Sequence, residues 1–244
     1  MEEPVLFEVE KGVALITLNR PEKRNAINAP MLRNLCKYVE EITSNKDIKV
    51  AILTGKDPAF CAGLDFSAIG AGNTVTMQGE GLDYGKAISA CNKPMIGAIN
   101  GHTVTGGFEF ALNCDFLIAS ERATFRDTHA KLGIHPALGM SQFLQQAIGQ
   151  RRAKQMSFTG QPISAQKALE WGLVNEVVPH EQLLSRAKEI AADICAVNYD
   201  MLLVMKDLID FKDRATLDEA YARERKSFWK FMENMGSIQP PTKG

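Results

Sequence analysis

Apolar and polar positions in the first fifty residues follow two different periods. Val5 to Glu10 and Val13 to Leu18 alternate or run apolar on either side of a Lys-Gly turn, which predicts a β-hairpin. Between Asn28 and Ser44 the apolar residues recur at helical spacing. Asn28 suits the N-cap of that helix and Pro30 its first turn. The chain therefore opens with a hairpin followed by an amphipathic helix.

Three continuous apolar runs come next, and each predicts a buried strand. They are "VAILTG" (50–55), "PMIGAIN" (94–100) and "DFLIAS" (115–120). We expect the segment after the first run, "KDPAFCAGLD", to be a loop. We also expect a loop at 66–81, where four glycines occur without the Lys-Ser/Thr ending of a phosphate-binding loop.

The second half of the chain is predicted to be mainly helical. In "SAQKALEWG", Ser164 suits an N-cap and Gly172 the position after the last helical residue. One strand, "LVNEVV", is expected at 173–178. Strands and helices alternate up to about Val178, which indicates an α/β fold. We therefore predict a core domain at 1–197 and a helical region at 198–244.

Composition and charge exclude several classes of function. The 244 residues carry a net charge of −1, so no basic field is available for nucleic acid or an anionic membrane. No apolar run approaches the ~18 residues of a membrane span. The five cysteines include no CxxC pair and the N-terminus is acidic, which argues against a metal site and a secretory segment. We expect a cytoplasmic protein without metal.

Two glycine turns are the candidate chemical features. "FCAGLD" follows the strand at 50–55, and "INGHTVTGGFE" follows the strand at 94–100. Backbone N–H groups at the start of a helix lack partners within that helix and can bind an anion. If the turns meet, the N–H groups of Leu64 and Gly106 could hold one oxygen that gains negative charge. Such turns are more often structural, so this pattern alone stays ambiguous.

One carboxylate stands in the apolar segment "VTGGFEFALNCD". Burying the charge of Glu109 without a partner would cost several kcal/mol. The residue therefore either faces solvent, where the helix dipole would favour it, or serves in chemistry.

The motifs taken together resemble the crotonase superfamily, the enoyl-CoA hydratase/isomerase family. They are "NRPEKRNAIN", "AILTGKDPAFCAGLD", "NKPMIGAINGHTVTGGFEFALNCDFLIAS", "FRDTHAKLGI" and "GQRRAKQMSFTGQPISAQKALEWGLVNEVV", in this order from about Phe7 to Pro179. The resemblance implies a spiral of ββα units and a C-terminal helical oligomerisation region. It also implies a homotrimer or a dimer of trimers, and an acyl-CoA thioester substrate whose enolate is stabilised, with no separate cofactor.

The resemblance also implies roles for individual residues. Leu64 and Gly106 fall on the oxyanion-hole donors, and Glu109 falls on the first of two catalytic glutamates. Coenzyme A contacts fall on the loop around Ala62 and Asp65, and also on Arg24 and Ala26. Trp229 and Phe231 lie on the last helix, which in the family contributes to subunit packing or to the CoA pocket of a neighbouring subunit.

The second glutamate of the family is His129 in this chain. An imidazole can carry a proton but cannot supply a second negative charge for orienting water. His129 is thus either a second acid–base group or a packed histidine. Asp127 either orients the imidazole or lies at the surface, and we expect the surface. The resulting alternatives to an enoyl-CoA hydratase are an enoyl-CoA isomerase, an acyl-CoA hydrolase or decarboxylase, and a non-catalytic acyl-CoA-binding protein.

Overall fold

The computed structural model describes residues 3–69 and 84–234. Its larger sheet has six strands in the order β1-β2-β3-β5-β7-β10. The hairpin of β1 and β2 is antiparallel, and the remaining neighbours are parallel. The strands are β1 (Val5–Glu10), β2 (Val13–Leu18), β3 (Val50–Gly55), β5 (Met95–Ile99), β7 (Phe116–Ser120) and β10 (Glu176–Val178). All the strands expected from the apolar pattern are present, β10 being shorter than predicted.

A smaller sheet contains four short strands in the order β4-β6-β8-β9. These are β4 (Ala59–Cys61), β6 (His102–Val104), β8 (Thr124–Arg126) and β9 (Ile163–Ser164). The first three are parallel, and β9 is antiparallel to β8. The prediction of a loop at "KDPAFCAGLD" was therefore wrong for Ala59–Cys61. A strand of three residues is too short to show an alternation that sequence analysis could detect.

Each repeating unit places one strand in each sheet and then a short helix. The helices of the three units are α2 (Phe66–Ile69), α4 (Gly106–Leu112) and α5 (His129–Leu132). Because the strands of both sheets are parallel at this point, the turns into these helices lie on the same side of the fold. This is the ββα arrangement that the family resemblance implied, and it brings the turns that carry the predicted site residues side by side.

The other helices of the first 197 residues pack around the sheets. They are α1 (Ala29–Ser44), α3 (Tyr84–Ala90), α6 (Met140–Ile148), α7 (Gln150–Thr159), α8 (Ala165–Trp171) and α9 (Leu183–Ala196). The predicted caps are confirmed. The Asn28 side chain accepts the Met31 N–H, the Ser164 side chain accepts the Lys167 N–H, and Gly172 ends α8 in the left-handed conformation. The apolar face of α1 packs into the main core.

The chain divides into two compact units, residues 1–197 and 198–244. The second unit contains α10 (Tyr199–Lys212) and α11 (Leu217–Asn234). Within it, Arg223 pairs with Asp207 and its guanidinium lies 4.3 Å from the centre of the Phe211 ring.

The loop expected at 66–81 begins with the helical turn α2, and its remainder from residue 70 lies outside the described residues. No helix in the described ranges is long and apolar enough to cross a membrane.

Candidate active site

The two glycine turns are in backbone contact. A Cβ added at Gly63 would lie 2.9 Å from the Val104 carbonyl oxygen and 3.5 Å from the Gly106 nitrogen, and Gly63 also has a φ of +87°. A Cβ added at Gly107 would lie only 2.4 Å from the Cys61 carbonyl oxygen. Any side chain at either position would therefore separate the turns, which explains the glycines on both sides.

The N–H groups of Leu64 and Gly106 lie at this contact. A Cβ added at Gly106 would be 3.9 Å from the Leu64 nitrogen. On either side of Leu64, the Gly63 carbonyl accepts the Ile27 N–H and the Asp65 N–H donates to the Ile27 carbonyl, at 2.7 and 2.9 Å. Gly106 is the first residue of α4, so its N–H has no acceptor within that helix. Within the described part of the chain, neither amide donates to a backbone acceptor, which leaves two neighbouring donors for a ligand oxygen.

Glu109 lies one turn further along α4 and is buried, with 3% of its surface exposed. Its Oε1 accepts three backbone N–H groups, from Ala137 at 3.2 Å, Leu138 at 2.8 Å and Met140 at 3.2 Å. These donors compensate for the lost hydration of the carboxyl group and fix its orientation. The other oxygen, Oε2, faces His129.

His129 lies between two carboxylates. Its Nε2 is 3.6 Å from Glu109 Oε2, and its Nδ1 is 2.7 Å from Asp127 Oδ1. The same Asp127 oxygen accepts the His129 backbone N–H at 3.0 Å. Asp127 is 1% exposed, so the expectation that it lies at the surface was wrong. The chain turns out of β8 at this residue, and the turn points the carboxylate inward onto the imidazole.

Burial of the ring lowers the pKa of His129, but the hydrogen bonds and charges of Asp127 and Glu109 outweigh burial and raise the pKa to about 9. Burial raises the pKa of Asp127, yet hydrogen bonds from His129 and Ser157 reverse that effect and hold it below its usual value. Both directions favour an imidazolium–carboxylate pair at neutral pH.

The residues expected to contact coenzyme A lie on two segments joined by hydrogen bonds. Ala62 donates its N–H to the Arg24 carbonyl at 3.0 Å. Arg24 is exposed and has a φ of +51°, Ala62 is half-buried, and Ala26 is nearly buried. The geometry brings these residues together beside Leu64.

Asp65, the fourth of these residues, is held by the protein itself. Its Oδ2 lies 2.9 Å from Nη2 of Arg20, and its Oδ1 accepts the Ser67 hydroxyl at 2.6 Å. The Ser67 hydrogen bonds, together with Arg20, lower the pKa of Asp65 despite its burial. Nη1 of Arg20 also donates to the Ala26 carbonyl at 2.5 Å. Sequence analysis missed Arg20, because no local pattern relates it to a residue 45 positions away.

Two other histidines have structural partners. His102 Nδ1 is 2.8 Å from the Thr124 hydroxyl, and His180 lies between Ser120 at 3.0 Å and Asp57 at 2.9 Å. Across residues 3–69 and 84–234, no group of three or more His, Cys, Asp or Glu side chains could hold a metal ion.

The ββα spiral, the two neighbouring amides of Leu64 and Gly106, and the buried Glu109–His129 pair form the arrangement expected of a crotonase-type enzyme. Comparison with known proteins identifies the family within that class. The sequence model of the enoyl-CoA hydratase/isomerase family matches residues 8–239, and the chain belongs to that family.

Relatives and solved structures agree with this assignment. The chain is 36% identical to "Probable enoyl-CoA hydratase 1, peroxisomal" of Arabidopsis thaliana, over 96% of this chain and 89% of the relative. It is also 36% identical to "Short-chain-enoyl-CoA hydratase" of Clostridium acetobutylicum, over 92% and 87%. The crystal structure of an enoyl-CoA hydratase from Mycobacterium avium is similar, with a TM-score of 0.79, 39% identity and coverage of 97% and 100%. The chain is accordingly an enzyme of this family.

Proposed function

We propose that this enzyme hydrates enoyl-CoA thioesters, adding water across the 2,3 double bond. The observation that carries the proposal is the pair formed by Glu109 Oε2 and His129 Nε2, 3.6 Å apart, one helical turn from the Gly106 amide. The pair supplies a proton acceptor and a proton donor, and the amide supplies a site for developing negative charge.

In this proposal the thioester oxygen accepts hydrogen bonds from the N–H groups of Leu64 and Gly106. When hydroxide adds to C3, the electron pair of the double bond moves toward that oxygen and forms an enolate. Preorganised amide donors at such an oxygen contribute about 3–4 kcal/mol each to the rate. The two glycine turns supply these donors without any side chain that would have to reorganise.

Proton transfer then falls to Glu109 and His129. The Glu109 carboxylate takes a proton from water as the oxygen bonds to C3, and the His129 imidazolium gives a proton to C2. A proton passing from Glu109 to His129 restores both groups, so one water is consumed in each turnover. The His129 ring is protonated at neutral pH because Asp127 stabilises the charge of the imidazolium. It can therefore replace a protonated glutamic acid as the proton donor.

We further propose that coenzyme A lies along the loops that contain Arg24, Ala26, Ala62 and Asp65. The support is the hydrogen bonding of these loops to each other and to the oxyanion turn. Arg20 would act indirectly by holding the Asp65 carboxylate and the Ala26 carbonyl in one arrangement. Calorimetry with crotonyl-CoA, with free crotonic acid as the control, tests this binding mode. Equal affinity for both ligands would contradict it.

One observation favours a second activity. Only Oε2 of Glu109 faces His129, because Oε1 is occupied by three backbone donors. A single oxygen could also carry a proton between C2 and C4 of an enoyl-CoA, which is isomerisation. Incubation of crotonyl-CoA and of a 3-enoyl-CoA with the purified enzyme separates the activities. Hydration predicts a 3-hydroxyacyl-CoA product from the first substrate.

We also propose that the protein assembles as a trimer or a dimer of trimers through residues 198–244. Several large apolar side chains of α10 and α11 are exposed in the single chain, among them Ile209, Leu217, Tyr221, Phe228 and Trp229. Burial of such side chains against another subunit would remove this apolar surface from water. All five cysteines lie in the described ranges and none forms a disulfide, which suits the cytoplasmic location that we propose.

A further inference from the structure

We propose that Thr105 and Thr128 are positioning residues whose hydroxyl groups align the Gly106 amide with the segment that carries His129. This inference rests on the proposed function, since it assigns these threonines to the same oxyanion and acid–base groups. Both threonines stand within the quoted motifs, but no role was assigned to either, and both are buried, at 4% and 7% exposure.

The backbone at Thr105 is strained. Its φ is +50° and its ψ is −110°, a combination that β-branched residues rarely adopt. Thr105 immediately precedes Gly106, so its ψ sets the direction of the peptide whose N–H faces the oxyanion position. Strain of this kind persists only where surrounding contacts hold the backbone in place. The contacts of Thr105 therefore identify what orients the Gly106 amide.

Those contacts come from the segment that carries the acid–base pair. The Thr105 N–H donates to the Arg126 carbonyl at 2.9 Å. The Thr105 hydroxyl accepts the Thr128 N–H at 3.1 Å and shares a hydrogen bond of 2.5 Å with the Thr128 hydroxyl. Thr128 is the N-cap of α5, and its neighbours in the chain are Asp127 and His129. Two buried hydroxyls thus connect the oxyanion turn to the imidazolium.

Thr105 also lies close to the other glycine turn. A Cβ added at Gly63 would lie 3.6 Å from the Thr105 Cβ, next to the Gly106 nitrogen at 3.5 Å. The side chain is therefore packed between the Leu64 turn and the Asp127–His129 segment. Loss of the Thr105 hydrogen bonds would therefore displace both the Gly106 amide and His129. Loss of the methyl group alone would not.

The test compares variants that separate shape, hydroxyl and strain. Thr105→Val keeps the shape and the β-branching but removes the hydroxyl, Thr105→Ser keeps the hydroxyl, and Thr105→Gly removes both hydroxyl and strain. Thr128→Val and Thr128→Ser form the matched pair on the other side. For each variant we would measure kcat and KM with crotonyl-CoA, the thermal midpoint, and the pKa of His129 by NMR titration of its ring.

Thr105→Val and Thr128→Val should lower kcat roughly 10- to 100-fold with little change in KM, as expected for small misalignments of reacting groups. The two serine variants should recover most of the lost kcat. Thr105→Gly should retain the thermal midpoint and still have low kcat. In both valine variants, the NMR pKa of His129 should fall toward 6.5, because the Asp127–His129 segment loses its anchor.

The inference is overturned if Thr105→Val retains kcat and the wild-type pKa of His129. It is also overturned if Thr105→Ser loses as much activity as Thr105→Val, since the methyl group would then be the important part. The NMR titration needs no substrate. Failure of the wild-type protein to hydrate crotonyl-CoA would therefore refute the proposed function, while the pKa comparison would still decide whether the hydroxyl pair positions His129.

Discussion

Asp127 and His129 form a buried pair in which one carboxylate oxygen bonds both the ring Nδ1 and the backbone N–H of the histidine, at 2.7 and 3.0 Å. This arrangement fixes the orientation of the ring, so that Nε2 points toward Glu109. The histidine therefore presents a protonated nitrogen to Glu109, at the position that the family resemblance assigns to the second glutamate. Asp127, on the other side of the ring, stabilises the charge of the imidazolium.

Replacing Asp127 by Asn should move the alkaline limit of activity to lower pH. The pKa of His129 is raised to about 9 chiefly by Asp127, so loss of that charge should bring it down toward 6.5. Activity that requires the imidazolium would then decline from near neutral pH instead of near pH 9. The measurement is kcat against pH with crotonyl-CoA. Asp57→Asn, which removes the partner of His180 at 2.9 Å, is the matched control and should leave the profile unchanged.

Replacing His129 by Gln should remove the alkaline titration altogether. The amide has no proton to lose in this pH range, so any remaining activity should no longer fall as pH rises through about 9. A second variant, His129→Glu, restores a pair of carboxylates and should raise hydration of a short enoyl-CoA. Unchanged pH profiles in the first variant, with no gain in the second, would identify His129 as a packing residue.

Glu109→Gln should reduce turnover by roughly 10²–10⁴, the usual contribution of a general acid–base group. The amide keeps the shape and can still accept the N–H groups of Leu138 and its neighbours through its oxygen. Binding of crotonyl-CoA should therefore be nearly normal by calorimetry. Near-normal turnover would exclude Glu109 as the proton carrier.

The raised pKa of His129 also predicts a pH dependence of stability. The folded protein binds this proton more tightly than the unfolded chain, whose histidine titrates near ~6.5. The stabilisation is therefore complete below pH ~6.5 and is lost as pH rises through about 9. Denaturant unfolding from pH 6.5 to 9 should show a loss of stability that His129→Gln lacks. Parallel curves for the two proteins would contradict the assignment.

The exposed apolar side chains of α10 and α11 predict self-association. Ile209→Glu together with Trp229→Glu places two charges on this surface and should shift the protein toward monomer, because an uncompensated charge is costly to bury. Light scattering at micromolar protein measures the change. Lys226→Glu, at an exposed polar position of α11, is the control for altered charge.

The sequence predicted those features that depend on local chemistry. The caps at Asn28 and Ser164 and the apolar strands at 50–55 and 115–120 are all present. The strands of the smaller sheet were not predicted from their own residues. A strand of two or three residues that pairs with distant parts of the chain shows no local period.

In the site, the motifs singled out Glu109 and His129 as candidate residues. The distance and orientation between their side chains depend on tertiary structure. Asp127 was wrongly expected at the surface, although its spacing of two residues from His129 was informative. An aspartate that accepts the N–H two residues later is a recognisable turn, and such a turn points the carboxylate back over the chain. The pairing of Arg20 with Asp65 has no comparable local signal, since Arg20 follows β2 and meets Asp65 only when the hairpin packs beside the first ββα unit.

The central claim, hydration by Glu109 at an amide-lined oxyanion site, is tested most directly by the fate of labelled water. Crotonyl-CoA would be incubated with the enzyme in water enriched in oxygen-18, and the products analysed by mass spectrometry. The account predicts 3-hydroxybutyryl-CoA carrying the label in its hydroxyl group, with the rate strongly reduced for Glu109→Gln. Label in free crotonic acid would indicate thioester hydrolysis, and unlabelled or unchanged acyl-CoA would contradict hydration.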